Sequence, residues 1–384
     1  MGYGGGGSGG SGGGGGYRTV GGGSAFGGSD DFELPSYNQA PAGSIRFNTD
    51  SKKLEVYIGG PVGYGTTATG QWMQVDGWSP DTQTGGTRGL FAGSNPQPGD
   101  GSGKTIEFIT VSTTGDTTDF GDRIGNGRRQ IAAMADRTRA VFAGSYSPMG
   151  NTIDFVTIAS KGDATDFGDT LSGGTNQVLT EATGISNSTR GLMCGGRNPS
   201  QIDVISYITI QSTGNAVDFG NLLEVKRNCG SFQSSTRGVI AGGRDDGGTS
   251  LKVIEYVTIS TLGNSADFGD LSTAGGQSNM GGSNSVRGIV AGGDPATNAI
   301  EYVTISTLGD SVDFGDNTAA EDGMNTMATS PTRACMFGAA APARNLSYVQ
   351  IMSTGNALDF GDFSTDATTS YSSGCSNGHG GLGN

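Results

Sequence analysis

One phrase recurs six times between Thr87 and the C-terminus, and it limits what the chain can fold into more than any other feature. One copy reads Ser285-Val-Arg-Gly-Ile-Val-Ala-Gly-Gly293, followed by Ala299-Ile-Glu-Tyr-Val-Thr-Ile-Ser-Thr-Leu-Gly-Asp-Ser-Val-Asp-Phe-Gly-Asp316. The arginine falls at Arg88, Arg139, Arg190, Arg237, Arg287 and Arg333, in steps of 51, 51, 47, 50 and 46 residues. The closing Asp-Phe-Gly places its ring at Phe120, Phe167, Phe219, Phe268, Phe314 and Phe360, in steps of 47, 52, 49, 46 and 46. Matched copies at a fixed period are one structural unit stacked on itself, so a repeat architecture is expected.

Each unit reads as four short strands. In the fourth copy these are Asn228-Cys-Gly-Ser-Phe-Gln-Ser-Ser235, Gly238-Val-Ile-Ala-Gly-Gly243, Val253-Ile-Glu-Tyr-Val-Thr-Ile-Ser260 and Ala266-Asp-Phe-Gly-Asp270. Between third and fourth stands Gly-Asp or Gly-Asn in every copy (Gly115, Gly162, Gly214, Gly263, Gly309 and Gly355), which is the chemistry of a tight hairpin turn. In the third strand Ile254 and Tyr256 alternate against Val257 and Ile259, so both faces are apolar and the sheet must lie between neighbours. Four strands per period of about 46–52 residues describe an all-β propeller. The first copy starts at Thr87-Arg-Gly-Leu-Phe without a first strand, and after Phe360 the chain ends in Tyr371-Ser-Ser-Gly-Cys-Ser-Asn-Gly-His-Gly-Gly-Leu-Gly-Asn384, a first strand with no successor. Pairing the two closes six blades into a ring and removes the open edges, whereas a seventh blade would have to draw strands from before Thr87. The Gly-Gly after the second strand and the aromatic in the third resemble a kelch-type blade, with the Asp-Phe-Gly ring where kelch blades carry Trp.

Three segments are expected: a Gly/Ser-rich flexible arm over 1–34, a small β module over 35–78, and the propeller over 79–384. The arm, which opens Met1-Gly-Tyr-Gly-Gly-Gly-Gly, offers no apolar face and loses much entropy on ordering, so it reads as a tether. Its Gly-x-Gly patterns lack the preceding strand and following helix of a dinucleotide site. In the module, Ile45 and Phe47, then Leu54, Val56 and Ile58, alternate with polar residues on either side of Asn48-Thr-Asp-Ser-Lys52, predicting a hairpin with a third strand near Trp72 to Val75. Three such strands alone bury too little to be stable, so the module is expected to pack on its own copies or on another protein.

The run Gly43-Ser-Ile-Arg-Phe-Asn-Thr-Asp-Ser-Lys-Lys-Leu-Glu-Val-Tyr57, followed by the Trp72 strand, resembles an attachment or trimerisation element of tailed-phage structural proteins, fibres especially. The insertion Gly59-Gly-Pro-Val-Gly-Tyr-Gly-Thr-Thr-Ala-Thr-Gly70 departs from that pattern. The resemblance implies location in a virion, other virion proteins as partners through residues 1–78, and a homo-oligomer, a trimer suiting a fibre.

Charge narrows the partners. The chain carries 36 acidic and 22 basic residues, a net charge of −14, which disfavours nucleic acid and anionic membrane surfaces. No apolar run of membrane-spanning length is present, and neither a secretory signal nor the residue pattern of myristoylation is visible at the N-terminus. The four cysteines, Cys194, Cys229, Cys335 and Cys375, have no metal spacing and read as reduced apolar fillers, and His379 is the sole histidine. No cofactor, metal site or catalytic residue is indicated.

Asp-Phe-Gly is a kinase motif only beside a phosphate loop and a catalytic loop, and six copies at strand spacing exclude one active site. The repeated arginine is expected to serve every blade, by pairing with an acidic group of the Asp-Phe-Gly-Asp corner. Carboxylates such as Glu255 and Glu301 recur at one strand position and read as structural, since a catalytic pair appears once, at a loop. What the copies do not share are the connections after the second strand, all on one rim. These supply the binding candidates Asn95 and Asp100, Tyr146, Arg197 and Asn198, Arg244, Asp245 and Asp246, and Asp294. The composite expectation is a non-enzymatic phage appendage whose rim loops bind host-surface polysaccharide. A purely architectural capsid or collar decoration is the alternative, and a propeller glycosidase a third.

Overall fold

The computed structural model describes residues 43–48, 53–58, 71–74, 87–93, 104–125, 128–146, 149–172, 177–272, 279–321, 325–337, 345–364 and 372–383. The chain divides into two units, Met1–Trp78 and Ser79–Asn384. The arm, the turn residues 49–52 and the insertion 59–70 lie outside the described residues.

In the first unit, Ile45–Asn48, Lys53–Ile58 and Gln71–Gln74 form the expected antiparallel meander. Ile45 pairs with Val56, and Tyr57 with Trp72. The covered face carries Glu55 and Tyr57, with Arg46 bridging to Glu55 at 2.6 Å. On the other face Ile45 is 62% exposed and Val56 half-buried.

The second unit is a six-bladed β-propeller. From the axis outward the first blade is Ser373–Ser376, Arg88–Ala92, Thr105–Thr110 and Thr118–Asp122. The second is Ala132–Ala135, Arg139–Tyr146, Met149–Thr157 and Thr165–Asp169. The third is Thr183–Ser186, Arg190–Cys194, Val204–Thr209 and Val217–Asn221, and the fourth Gly230–Gln233, Arg237–Ala241, Val253–Thr258 and Ala266–Asp270. The fifth is Met280–Ser283, Arg287–Ala291, Thr297–Thr304 and Val312–Glu321, with Asn325–Thr326 added in parallel to its inner strand. The sixth is Ala328–Thr329, Arg333–Phe337, Asn345–Gln350 and Leu358–Asp362.

Six blades and their closure follow the sequence expectation. Ser373 pairs with Ala92 and Ser376 with Gly89, so the C-terminal strand is the inner strand of the first blade. The hairpin turn between inner and second strands is thereby split across the two ends of the propeller. In the third blade Asn187 accepts from the Arg190 amide at 2.8 Å, and in the first blade Asn377 accepts from the Arg88 amide at 2.9 Å. The seam between sixth and first blades also holds three edge-packed phenylalanines, Phe91, Phe337 and Phe363, with centroids 5.3–6.0 Å apart.

The core is six clusters, one per blade boundary. Ile254 packs towards the fifth blade with Val290 and Val303, while Val257 and Ile259 pack towards the third with Ile185 and Ile205. Both-sided burial explains the unpatterned inner strands, which are buried throughout in small residues. At Gly184 an added Cβ would overlap the Ala133 backbone. The four cysteines are free and buried, and burial pushes all four thiols up, the Cys229 thiol to about 12.

Asp-Phe-Gly-Asp is a blade clasp. The phenylalanine is the bulge residue of the outer strand, skipped in the ladder between Glu255–Asp267 and Ile254–Gly269. Its ring packs edge-on against the aromatic of the third strand, with centroids 5.9–6.2 Å apart in all six blades. Its carbonyl turns to the next blade and accepts the amide of the Gly-Asp/Asn glycine at 2.7–2.9 Å at every boundary. The residue after the Asp-Phe-Gly glycine donates its amide to the Oδ1 of that Asp or Asn at 3.0–3.1 Å. Its carbonyl accepts a third bond at 2.8–2.9 Å from the second residue beyond the turn glycine. The motif glycine is required because the next blade's turn carbonyl occupies the place of a side chain, as Gly263 does at Gly220. Asn221 replaces Asp without consequence, since only its backbone takes part.

The repeated arginine does not pair with this corner. Its guanidinium lies 4.1–5.2 Å from the centroid of its own third-strand aromatic. It donates to a backbone carbonyl at the end of the next blade's third strand at 2.6–3.3 Å. The partner is a carbonyl because that strand end leaves one unpaired there, and a planar fork reaches it while stacked on a ring.

In equilibrium urea denaturation, Gly220→Ala is expected to cost more than about 2 kcal/mol, through overlap with Gly263 and a φ of +152°. Arg237→Ala is expected to cost about 1–2 kcal/mol, and the adjacent Asn221→Ala to stay within about 0.5 kcal/mol.

Candidate functional site: the loop face

A propeller offers three places for a ligand: the axis, and the two faces at its ends. The axis is filled. Serine hydroxyls stitch the inner strands together, Ser231 to Gly184 O at 2.8 Å, Ser283 to Gln233 O at 2.7 Å and Ser373 to Ile131 O at 2.5 Å. The remaining cavity is about 10 Å³, lined by Ser186, Gly281, Thr329 and Ser376 among others, and has room for a single water.

The face where the inner strands end is sealed by the C-terminal turn. His379 is buried there, its Nε2 2.7 Å from Ala135 O and its Nδ1 3.0 Å from Gln233 Nε2 and 3.1 Å from the Gly381 amide. The bonds fit one neutral tautomer, in which Nε2–H donates to the carbonyl and Nδ1 accepts twice. Burial pushes the imidazole down to about 4. Arg137 holds the turn from outside, donating to Leu382 O at 3.2 Å and Gly383 O at 3.1 Å.

The opposite face carries the connections after the second strands, together with the approaches to the inner strands. Asn95 and Asp100 lie outside the described residues. Tyr146, Arg197 and Arg244, from three successive blades, fall in one band. Arg129 stacks 4.9 Å from the Tyr146 ring centroid and accepts the Tyr146 amide on its carbonyl at 3.0 Å. Next to Arg129, Gln130 bonds Glu181 at 3.4 Å. Glu181 in turn holds Arg227 at 2.7 Å and Arg197 at 3.6 Å. Arg227 and Arg244 exchange backbone bonds at 3.2 and 3.0 Å, closing the band on the fourth blade.

The other candidates stand apart from it or serve their own loops. Asn198 donates to Ser172 at 2.6 Å, and Asp245 accepts the Thr249 amide at 2.6 Å to close its turn. Asp246 and Asp294 are exposed, Asp294 preceding a cis peptide bond to Pro295.

Sequence reasoning missed Arg129, Glu181 and Arg227, which approach the inner strands and not the rim. The signal was two basic pairs, Arg128-Arg129 and Lys226-Arg227, in a chain with 22 basic residues. The first member of each is buried on a third-strand carboxylate of its own blade, Arg128 on Asp154 at 2.7 Å and Lys226 on Glu255. The second member is half-buried and engages a different group, Arg129 the Tyr146 ring and Arg227 Glu181. Gln130, Glu181 and Asn228 occupy equivalent positions with φ of 54°, 60° and 56°, a left-handed conformation costly for non-glycine residues. They are held in it by blade-to-blade bonds, the Glu181 amide to Gln130 O and the Asn228 amide to Glu181 O, both at 3.0 Å.

The repeated carboxylates are tied to loops of the preceding blade. Glu255 accepts the Leu223 amide at 2.9 Å, Glu301 the Ser272 amide at 3.1 Å and Asp154 the Ile124 amide at 2.9 Å. Among the described residues no three His, Cys, Asp or Glu gather as metal ligands would, and no helix is long and apolar enough to cross a membrane. The second unit is thus a propeller with a filled axis, one sealed face and one face of non-repeating loops. Compared with known proteins, the chain matches no family model and no curated protein.

His379 gives a pH signature. Its folded pKa lies below the ordinary 6.5, so its contribution is complete above pH 6.5 and is lost as pH falls from 6.5 to about 4. Urea denaturation of wild type and His379→Gln across that window is expected to show the wild type losing stability faster than the variant.

Proposed function

We propose that the chain is a structural component of a tailed-phage virion appendage, attached through residues 1–78, whose propeller binds host-surface glycan on its loop face without catalysing a reaction. The observation that carries the reading is the convergence of non-repeating side chains from three adjacent blades, Tyr146 with Arg129, Glu181 with Arg197 and Arg227, and Arg244. Rigid blades presenting varied loops suit recognition. Aromatic, guanidinium and amide groups side by side suit a hydroxyl-rich ligand. The attachment role rests on the run Gly43 to Tyr57, whose resemblance is to phage fibre modules, and on the exposure of Ile45 in a sheet too small to stand alone. The non-catalytic reading is supported by the buried carboxylates of the blades, which are committed to loop amides.

The architectural reading, a capsid or collar decoration, draws on a different surface. Val217, Leu262, Leu308, Val312 and Leu358 of the third to sixth blades are 53–58% exposed, as side chains that meet a neighbouring protein would be before assembly.

Purified full-length protein is expected to adsorb to the bacteria that the phage infects and to reduce plaque formation in competition. Protein that neither adsorbs nor competes would leave the architectural reading standing, and release of soluble sugar from host polysaccharide would replace both with a glycosidase.

A further inference from the structure

We infer that the loop face of the second to fourth blades binds a carboxylate-bearing polysaccharide, through the guanidinium groups gathered about Glu181; this deepens the glycan-binding reading above and rests on it.

The chain has a net charge of −14, yet here two arginines, Arg197 and Arg227, meet the one carboxylate of Glu181, and Arg129 precedes Gln130, which bonds the same carboxylate. Asp245 and Asp246 bound the patch beyond Arg244, and Asp245 is occupied by its own turn. Glu181 meets Arg227 at 2.7 Å but Arg197 only at 3.6 Å, so it neutralises one guanidinium and leaves a local surplus of positive charge. Arg197 uses its Nε on Pro199 O at 3.1 Å, and its Nη groups make no hydrogen bond to any described residue. The Nε of Arg227 is buried without a hydrogen-bond partner among the described residues. A planar guanidinium with donors to spare is the group that takes a carboxylate in a two-pronged bond, and partial burial strengthens that bond.

A second, independent observation marks the same place. Gln130, Glu181 and Asn228 are held in left-handed backbone conformations in three consecutive blades, locked by amide-to-carbonyl bonds between them. The blades need no such strain to stack, since the clasps and the cores already join them. Its effect is to fix the approaches that carry Arg129 and Arg227, Arg227 against Glu181 and Arg129 against Tyr146.

The ligand is a saccharide because of Tyr146. Arg129 lies against the ring, which is half-buried and fixed by the backbone bond to Arg129, so its remaining surface is a rigid amphipathic platform beside the charge. A carboxylate on a sugar ring satisfies both elements in one residue. The same charge would accept a phosphate, so the experiment separates the two sources.

Full-length protein is titrated calorimetrically with polygalacturonate and hyaluronate, which carry carboxylates, with a poly(glycerol phosphate) teichoic acid, and with neutral dextran. The expected result is binding of a carboxylated polymer that weakens as salt is raised, with no binding of dextran. Arg197→Gln, at a part-exposed position, is expected to weaken it about tenfold or more at unchanged melting temperature, and Arg129→Gln likewise. Binding of teichoic acid alone overturns the carboxylate assignment. So does failure of both carboxylated polymers, or affinity unmoved by Arg197→Gln and Arg129→Gln. If Arg197→Gln still adsorbs to host cells as wild type does, this inference fails while the binding function stands; if wild type binds a carboxylated polymer but no host cell, the adsorption role fails and the site stands.

Discussion

The free edge of each blade's outer strand is covered by the turn of the next blade, and the rest of the propeller depends on that contact. A four-stranded sheet standing alone would expose one row of amides and carbonyls at its outer edge. Here the bulged phenylalanine turns its carbonyl into the boundary, and the residue after the motif glycine gives its amide to an Asp or Asn side chain of the neighbour, 3.0 Å away between the second and third blades. Because the same residue pair does this at all six boundaries, it must appear in every copy. The arginine works at the same boundaries from the inner part of the blade, on a carbonyl and not on an acid.

Closing the ring places the last strand of the chain beside the first and brings the C-terminal turn over the axis. His379 then touches the inner strands of the second, third and fourth blades, and the axis keeps a cavity of only about 10 Å³. Tightness that stabilises the ring excludes a central ligand channel. In the proposed reading, recognition falls to the face where the loops rise, on groups that the blades do not share.

Much of this was legible in the residues. The period, the four strands, the two apolar faces of Ile254 and Val257, the six-blade count and the split first blade all follow from local patterns, because each is a property of one copy or of the spacing between copies. The partner of the arginine was not legible. It is a backbone carbonyl, which no residue type marks, and an acid two strands away looked the better partner. The Gly-Asp/Asn pair read as a turn, and its side chain's bond across the boundary was hidden for the same reason. At the loop face, Tyr146, Arg197 and Arg244 were visible because they vary between copies. Asn198 and Asp245 vary as well, but their groups are taken up by Ser172 and Thr249. Arg129, Glu181 and Arg227 come from the approaches to the inner strands, and only the fold brings them beside the rim.

The central claim is that shared residues build the propeller and unshared residues on one face bind. Hydrogen–deuterium exchange of the full-length protein, with and without the envelope polysaccharide of a bacterium to which it adsorbs, tests this directly. The account predicts slower exchange at the approaches and rims near Arg129, Tyr146, Glu181, Arg197 and Arg227, with the clasp strands and the C-terminal turn around His379 unchanged. Protection at that turn, or along the outer strands, with none at the loop face would contradict it.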